Sequence, residues 1–357
     1  MKQKLYILTA LAVAGAIAAN AQTYTVKGTA PAGTKVVYLQ NLESSAPDSC
    51  AVTADGAFTF SGEAGGHLFA VVTAADKRLP VILDGTVTAD LAKGVAGGTA
   101  ENDGLSRWLP AYTGIVDAVN ALMTEYRRES QSGQPIADSV LARIETQYDA
   151  LMTSLIDTIN VCCSTNKEAK FPAYFLRSVA SQMSHDEVIA ISETQPAFMQ
   201  VSLMDPIRRN IEGWKRQAVG VMFTNLTLAD TTGAPRQLSE FVGQGRYVLV
   251  DFWASWCGPC RQEMPNVKAA YDKYHTRGFD IVGLSLDSKR SAWTGAITSL
   301  GLPWTHLSDL KGWRSEAAAT YGINSIPATI LFDPEGRVVC TDLRGEELEK
   351  KLAEIFP

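Results

Sequence analysis

The chain has 357 residues, 46% hydrophobic and 20% charged, with a net charge of -6. That length holds two or three domains with cores of their own, and the hydrophobic share excludes an intrinsically disordered chain. The acidic balance leaves no basic stripe to neutralise phosphates, so no nucleic-acid partner is expected.

Lys2 and Lys4, an apolar run from Leu5 to about Ala18, and Ala19-Asn20-Ala21 have the form of an export signal cut between Ala21 and Gln22. The run falls short of the roughly 20 residues that span a bilayer. No cysteine follows the cut for lipid attachment, and no later stretch is apolar and long enough to span. The expectation is a signal peptide over 1–21 and a soluble, exported, periplasmic protein with no transmembrane segment after cleavage.

Residues 22–98 alternate apolar and polar positions in short runs such as "TKVVYLQNL" and "GAFTFSGEA". They predict a small antiparallel β-sandwich, with Asp55-Gly56 as a hairpin turn. Over 99–216 the period changes. Leu105, Leu109, Tyr112, Val116, Val119, Met123 and Tyr126 mark one helix, and Ile136, Val140, Ile144, Tyr148, Leu151, Leu155 and Ile159 mark a second. Ser184 followed by Glu187 is a capping box that opens a third. This α-helical segment carries core residues and no evident chemistry. Over 217–357 strand-like stretches (247–254, 280–287, 328–333, 336–342) alternate with helices starting near Cys257, Arg290, Trp313 and Gly345. That alternation predicts an α/β domain.

Six cysteines in so long a chain are too few to build a disulfide scaffold. The pair in "WCGPC", Cys257 and Cys260, could staple, bind metal or react. A staple across four residues stabilises by about 2 kcal/mol, against about 4.5 kcal/mol for a loop of about 80 residues. A metal site lacks further ligands, because no second C-x-x-C exists and His67, His185, His275 and His306 are scattered. Chemistry fits the context: the strand "YVLVDFWA" precedes the pair, and Gly258-Pro259 suits entry into a helix. At a helix start the amides and macrodipole favour a thiolate. A pKa lowered from about 8.5 to about 7 gives about fifteenfold more nucleophile at neutral pH. Cys260, one turn on, faces the same side and can close a disulfide with Cys257. Cys162 and Cys163 read as buried small hydrophobes and Cys50 as inert. Cys340 lies on the last strand with no evident mechanism.

"VLVDFWASWCGPC" resembles the active-site segment of thioredoxins. "CRQEMP" resembles the extracytoplasmic thioredoxin-like branch of TlpA/ResA type, and "GINSIPATILFDPEGRVV" its cis-proline loop and closing hairpin. The likeness covers about 218–357 and implies a thioredoxin fold. Residues 22–98 resemble the small β-domain of unassigned function that precedes such domains. By this resemblance Cys257 is the nucleophile that attacks a client disulfide, and Cys260 is the resolving thiol. Asp251 is a buried acid that takes the proton of Cys260, its pKa raised by burial. Glu263 matches a second carboxylate near Cys260, and which of the two acids is the working base stays open. Ile326-Pro327 matches the cis-proline dipeptide. Together with Trp256, Gly258 and Pro259 it would bind an extended client chain. The stretch from Ser285 to Asn324 is longer than a minimal thioredoxin needs.

The leading expectation is a thiol-disulfide oxidoreductase that reduces exported cysteine-containing clients, recharged by a membrane thiol donor, without metal or cofactor. The alternatives are a disulfide isomerase or oxidase of the same fold, and a ligand-binding scaffold protein with a regulatory redox pair.

Overall fold

The computed structural model describes residues 22–357 apart from positions 45, 132 and 134, so the signal peptide expected at 1–21 lies outside the described residues. The chain divides into two compact units. One takes in the described residues up to Ser178 together with Gln200–Leu203; the other takes in Val179–Met199 and Met204–Pro357.

The first unit begins with strands β1 (Thr23–Thr29), β2 (Val36–Asn41), β3 (Asp48–Ala51), β4 (Ala57–Glu63), β5 (Phe69–Ala74), β6 (Lys77–Ile82), β7 (Gly85–Asp90) and β8 (Val95–Gly97). They form two four-stranded sheets, ordered β4-β1-β7-β8 and β3-β2-β5-β6. The alternation buries Val26, Val37, Leu39, Phe58, Phe60, Val87 and Ala89, giving each sheet one apolar face. Pairing is antiparallel except between β1 and β7, which run parallel with Val26 opposite Val87. Asp55-Gly56 does turn the chain, with Gly56 at φ +84° and its amide on the Thr53 carbonyl at 2.9 Å. It does not close a hairpin, because β3 pairs with β2 and β4 with β1. Turn chemistry encodes the reversal, whereas burial of Phe58 and Phe60 selects the sheet.

Helices α1 (Ala100–Ser130), α2 (Asp138–Thr165) and α3 (Pro172–Val179) follow. Asn102, fully buried at the start of α1, both accepts from the amide and donates to the carbonyl of Ile82, each at 2.9 Å. It thereby ties the helix to strand β6. The Ser184–Glu187 capping box is present. It opens the fourth helix, α4 (His185–Glu193), because the eight-residue α3 intervenes; α5 (Asp205–Lys215) comes next.

The second unit is built on seven strands: β9 (Thr227–Asp230), β10 (Pro235–Gln237), β11 (Tyr247–Trp253), β12 (Phe279–Ser285), β13 (Thr305–Ser308), β14 (Ala328–Phe332) and β15 (Val338–Thr341). Their order is β10-β9-β13-β12-β11-β14-β15. Strands β11, β12 and β13 run parallel, and β14 is antiparallel to β11. Helices α6 (Gly258–Tyr274), α7 (Arg290–Leu300), α8 (Glu316–Tyr321) and α9 (Gly345–Ile355) complete it. Central β11 buries Val248, Leu249, Val250, Phe252 and Trp253 completely. That near-continuous burial is what a strand covered on both faces requires. The extra length between Ser285 and Asn324 becomes α7, β13 and α8.

Candidate active site

Strand β11 delivers the chain to the site, and a short loop turns it into α6. Buried Asp287, just beyond β12, fixes that loop: its carboxylate accepts from the Ser255 amide at 2.9 Å, the Ser255 hydroxyl at 2.5 Å and the Ser285 hydroxyl at 2.8 Å. Cys257 is the N-cap of α6, where its Sγ accepts from the Cys260 amide at 3.1 Å. Pro259 sits in the first turn, where a missing amide hydrogen costs nothing. Cys257 and Cys260 form a disulfide with Cα atoms 5.3 Å apart. Cys257 is 5% exposed and Cys260 0%, so an incoming sulfur reaches Cys257 first. Negative charge left on the Cys257 sulfur on reduction meets the Cys260 amide and the helix start, both of which stabilise it.

Opposite lies the Ile326-Pro327 bond, which is cis. The Ile326 carbonyl oxygen is 3.8 Å from Cys257 Sγ. Arg344, the residue before α9, donates to the Pro327 carbonyl and lies 3.7 Å from Asp342. The next residue, Gly345, donates its amide to Glu263 at 2.6 Å, and the other Glu263 oxygen accepts from Asn266 at 3.0 Å. Glu263 is thus engaged at both oxygens.

Asp251 presents the opposite case. It lies in β11 between Gly283 of β12 and Thr329 of β14, is 2% exposed, and its Oδ2 has no hydrogen-bond partner. Burial pushes its carboxyl up to about 7, the charge of Glu263 pushes the same way, and Arg344 opposes them. A carboxyl that titrates there can take and return a proton at neutral pH. Glu263 and Arg344 are close enough for their charges to reach Asp251, so the two acids singled out in the sequence share one site.

Gly258 and Pro259 are exposed in front of the disulfide, and a Cβ on Gly258 would meet nothing within 4 Å. Trp253 is buried beside His306, 5.5 Å between ring centroids, whereas Trp256 is 54% exposed. Among the described residues no group of three or more His, Cys, Asp or Glu is placed to hold a metal ion. None of their helices is long and apolar enough to cross a membrane.

Comparison with known proteins now adds to this geometry. The family model described as the AhpC/TSA family matches residues 219–341. Thiol-disulfide oxidoreductase ResA of Bacillus thuringiensis subsp. konkukian is 30% identical over 140 residues, covering 39% of this chain and 78% of that protein. The chain belongs to the ResA-type thiol-disulfide oxidoreductases. The protein of that name from Bacillus subtilis is 31% identical over 115 residues, covering 32% of this chain and 62% of its own length. Among solved structures, the thioredoxin domain of a thiol-disulfide oxidoreductase from Bacteroides vulgatus is 32% identical, with a TM-score of 0.37, covering 39% of this chain and 99% of that one. The protein is therefore a thiol-disulfide oxidoreductase with a thioredoxin-like fold at its C-terminus, preceded by β-sheets and helices.

Three residues of this ResA-type site were not singled out in the sequence: Asp287, Arg344 and Trp313, whose ring lies 6.1 Å from that of Trp256. Asp287 and Arg344 act across 32 and 17 residues of chain respectively. Only the fold brings them in. An acid directly after an apolar strand, as in "GLSLD", is the one local signal that could have marked Asp287.

Proposed function

We propose that this chain reduces disulfides of exported proteins by dithiol-disulfide exchange through Cys257 and Cys260. The reduced Cys257 thiolate attacks one sulfur of a client cystine, breaking the client S–S bond and forming a mixed disulfide. The displaced client sulfur leaves as a thiolate and takes up a proton. Cys260 then gives its proton to Asp251 and attacks Cys257 Sγ. The Cys257–Cys260 disulfide closes, and the second client sulfur departs; two electrons have passed to the client.

The observation that carries this reading is the asymmetry of the pair. Cys257 reaches the surface, caps α6 and faces the Ile326 carbonyl, while Cys260 is sealed. Asp251, with no partner at Oδ2 and titrating near 7, supports the role of proton acceptor. Glu263, held at both oxygens, then acts on Asp251 by its charge and anchors α9 to α6. Ile326, Pro327, Trp256, Gly258 and Pro259 would line the path of an extended client. Residues 217–357 would form the redox domain, behind a β-domain over 22–98 and a helical domain over 99–216. The sequence pattern of an export signal over 1–21 supports a periplasmic site of action. A membrane thiol donor would return the pair to the dithiol.

The direction rests on Gly258-Pro259, the dipeptide of reducing thioredoxins, whose potential is about -270 mV against about -120 mV for the oxidant of the same fold. The test has two arms. Exported with Cys260→Ser, the chain should accumulate covalent adducts on Cys257 that dithiothreitol releases. The wild-type pair, equilibrated with glutathione, should sit well below about -150 mV. Absence of adducts from a folded variant removes the exchange reading; a potential above that value makes the protein an oxidase or isomerase.

A further inference from the structure

The chain has seven tryptophans. Two are exposed, Trp256 at 54% and Trp313 at 50%, and these two meet, with ring centroids 6.1 Å apart and planes tilted by 56°. Trp256 directly precedes Cys257. Trp313 comes from the segment between β13 and α8, which a minimal sheet-and-helix domain does not need.

That segment is held rather than loose. Asp309 accepts from the Lys311 amide at 3.1 Å through one oxygen and from the Glu316 amide at 2.8 Å through the other. Ser308, buried, accepts from the Leu310 amide at 3.1 Å and donates to the Ser285 carbonyl at 2.8 Å. Leu310 is held at φ +56°, a left-handed conformation that L residues rarely adopt. A segment constrained in this way presents Trp313 at little further ordering cost on binding. Exposed indole surface costs free energy that a fold with five sheltered tryptophans does not need to accept.

We propose that Trp256 and Trp313 form an aromatic clamp beside the disulfide. It takes an aromatic or long apolar side chain next to the cysteine of a client polypeptide, so Trp313 helps to select which protein disulfides exchange. The occupant is a client segment because Trp256 directly precedes Cys257, the less buried sulfur of the pair, and the open surface at Gly258 directly follows it. This rests on the exchange reading given above and deepens it.

The test uses the reduced full chain and two peptides, each closed by one disulfide, with Phe or Ala following the reactive cysteine. Glutathione disulfide is the reference. The Phe peptide should react about tenfold faster than the Ala peptide, a ratio that at 1.4 kcal/mol per decade matches the worth of one aromatic contact. In Trp313→Ala and Trp313→Gln the ratio should fall to about two or below, and Trp313→Phe should keep most of it. A wild-type ratio near one overturns the clamp, as does a ratio that survives both non-aromatic variants. So does a dimer in sedimentation that Trp313→Ala dissolves while the peptide ratio stays put, since a second copy then covers the rings. Failure to exchange even with glutathione disulfide removes the redox reading and the clamp with it; exchange with glutathione and no peptide preference removes the clamp alone.

Discussion

Asp251 costs the fold free energy whenever it is charged, because the anion loses its water and gains no hydrogen bond at Oδ2. Its carboxyl titrates at about 7 instead of the ordinary 3.8, a difference worth about 4 kcal/mol. The sign follows from proton counting. Below 3.8 both folded and unfolded chains hold the proton and the acid is neutral to stability. Between 3.8 and 7 only the folded chain holds it, so stability falls as pH rises, and above 7 the full penalty stands. Asp251→Asn should therefore be more stable than the parent at pH 8, by up to about 4 kcal/mol, with the gap closing towards pH 4, read as urea midpoints at the two pH values. Arg344 offers a second test. It holds Asp251 down from outside the strand, so Arg344→Gln should move the pH midpoint for Cys260-dependent release of a mixed disulfide upward. Arg344→Lys, which keeps the charge but loses the planar fork, should move it less. An unmoved midpoint in Arg344→Gln means that the contact with Pro327 is purely structural. Asp251 could be picked out in the sequence because the residues around the cysteines carry a resemblance. Arg344 could not, because its work is done through the Pro327 carbonyl and a carboxyl on the distant strand β11.

At the scale of elements, the site depends on how β11 is joined to α6, and Asp287 is the joint. Its carboxylate takes three hydrogen bonds from two serines, one at the end of β12 and one in the loop before Cys257. Asp287→Ala would leave a half-buried amide and two hydroxyls without their acceptor, a loss of about 3 kcal/mol that should show in the urea midpoint. Exchange with glutathione disulfide should slow as well, since the loop that sets the direction of α6 is freed. Asp287→Asn, which keeps one acceptor, should fall between. Long elements such as α1, α2, β11 and β12 could be read from their period, and the short β14 and β15 from the resemblance of their segment to a closing hairpin. Strands β9, β10 and β13 have four, three and four residues, too few for alternation to register. In β13 the chemistry also misleads. His306 reads as polar, yet burial pushes its pKa down to about 3. It packs as a neutral ring between Trp253 and Trp304, with centroids 5.5 and 5.7 Å away. The cis bond at Ile326-Pro327 was legible only by resemblance, since nothing local in the sequence distinguishes it from a trans proline.

For the molecule as a whole, the hydrophobic period changes near residue 217, but the buried contacts of the second unit begin earlier. Helix α8 leads into the cis-proline loop, and its last carbonyls are satisfied from α5 and the residues just after it. Trp214 Nε1 donates to Gly322 at 3.0 Å, Arg216 donates to Thr320 at 3.0 Å, and Gln217 donates to Tyr321. Gly213 makes the approach possible, because a Cβ there would come within 2.2 Å of the Gly322 amide nitrogen. Trp214 itself is buried. A change of period reports local geometry, whereas the edge of a cooperative unit is set by where such burial stops. Two fragments separate these views. One comprising residues 217–357 loses the Trp214 packing, worth roughly 3 kcal/mol or more. It should melt roughly 10 °C below one comprising 204–357, followed by circular dichroism. Trp214→Phe in the full chain should lie closer to the parent, giving up the indole hydrogen bond while keeping most of the packing. Equal melting temperatures for the two fragments would show that α5 lends nothing to α8. Both fragments should exchange with glutathione disulfide if they fold, because the sulfurs, Asp251 and the cis-proline loop all lie after residue 217. The shorter one should do so with a less firmly held Ile326 carbonyl and hence more slowly.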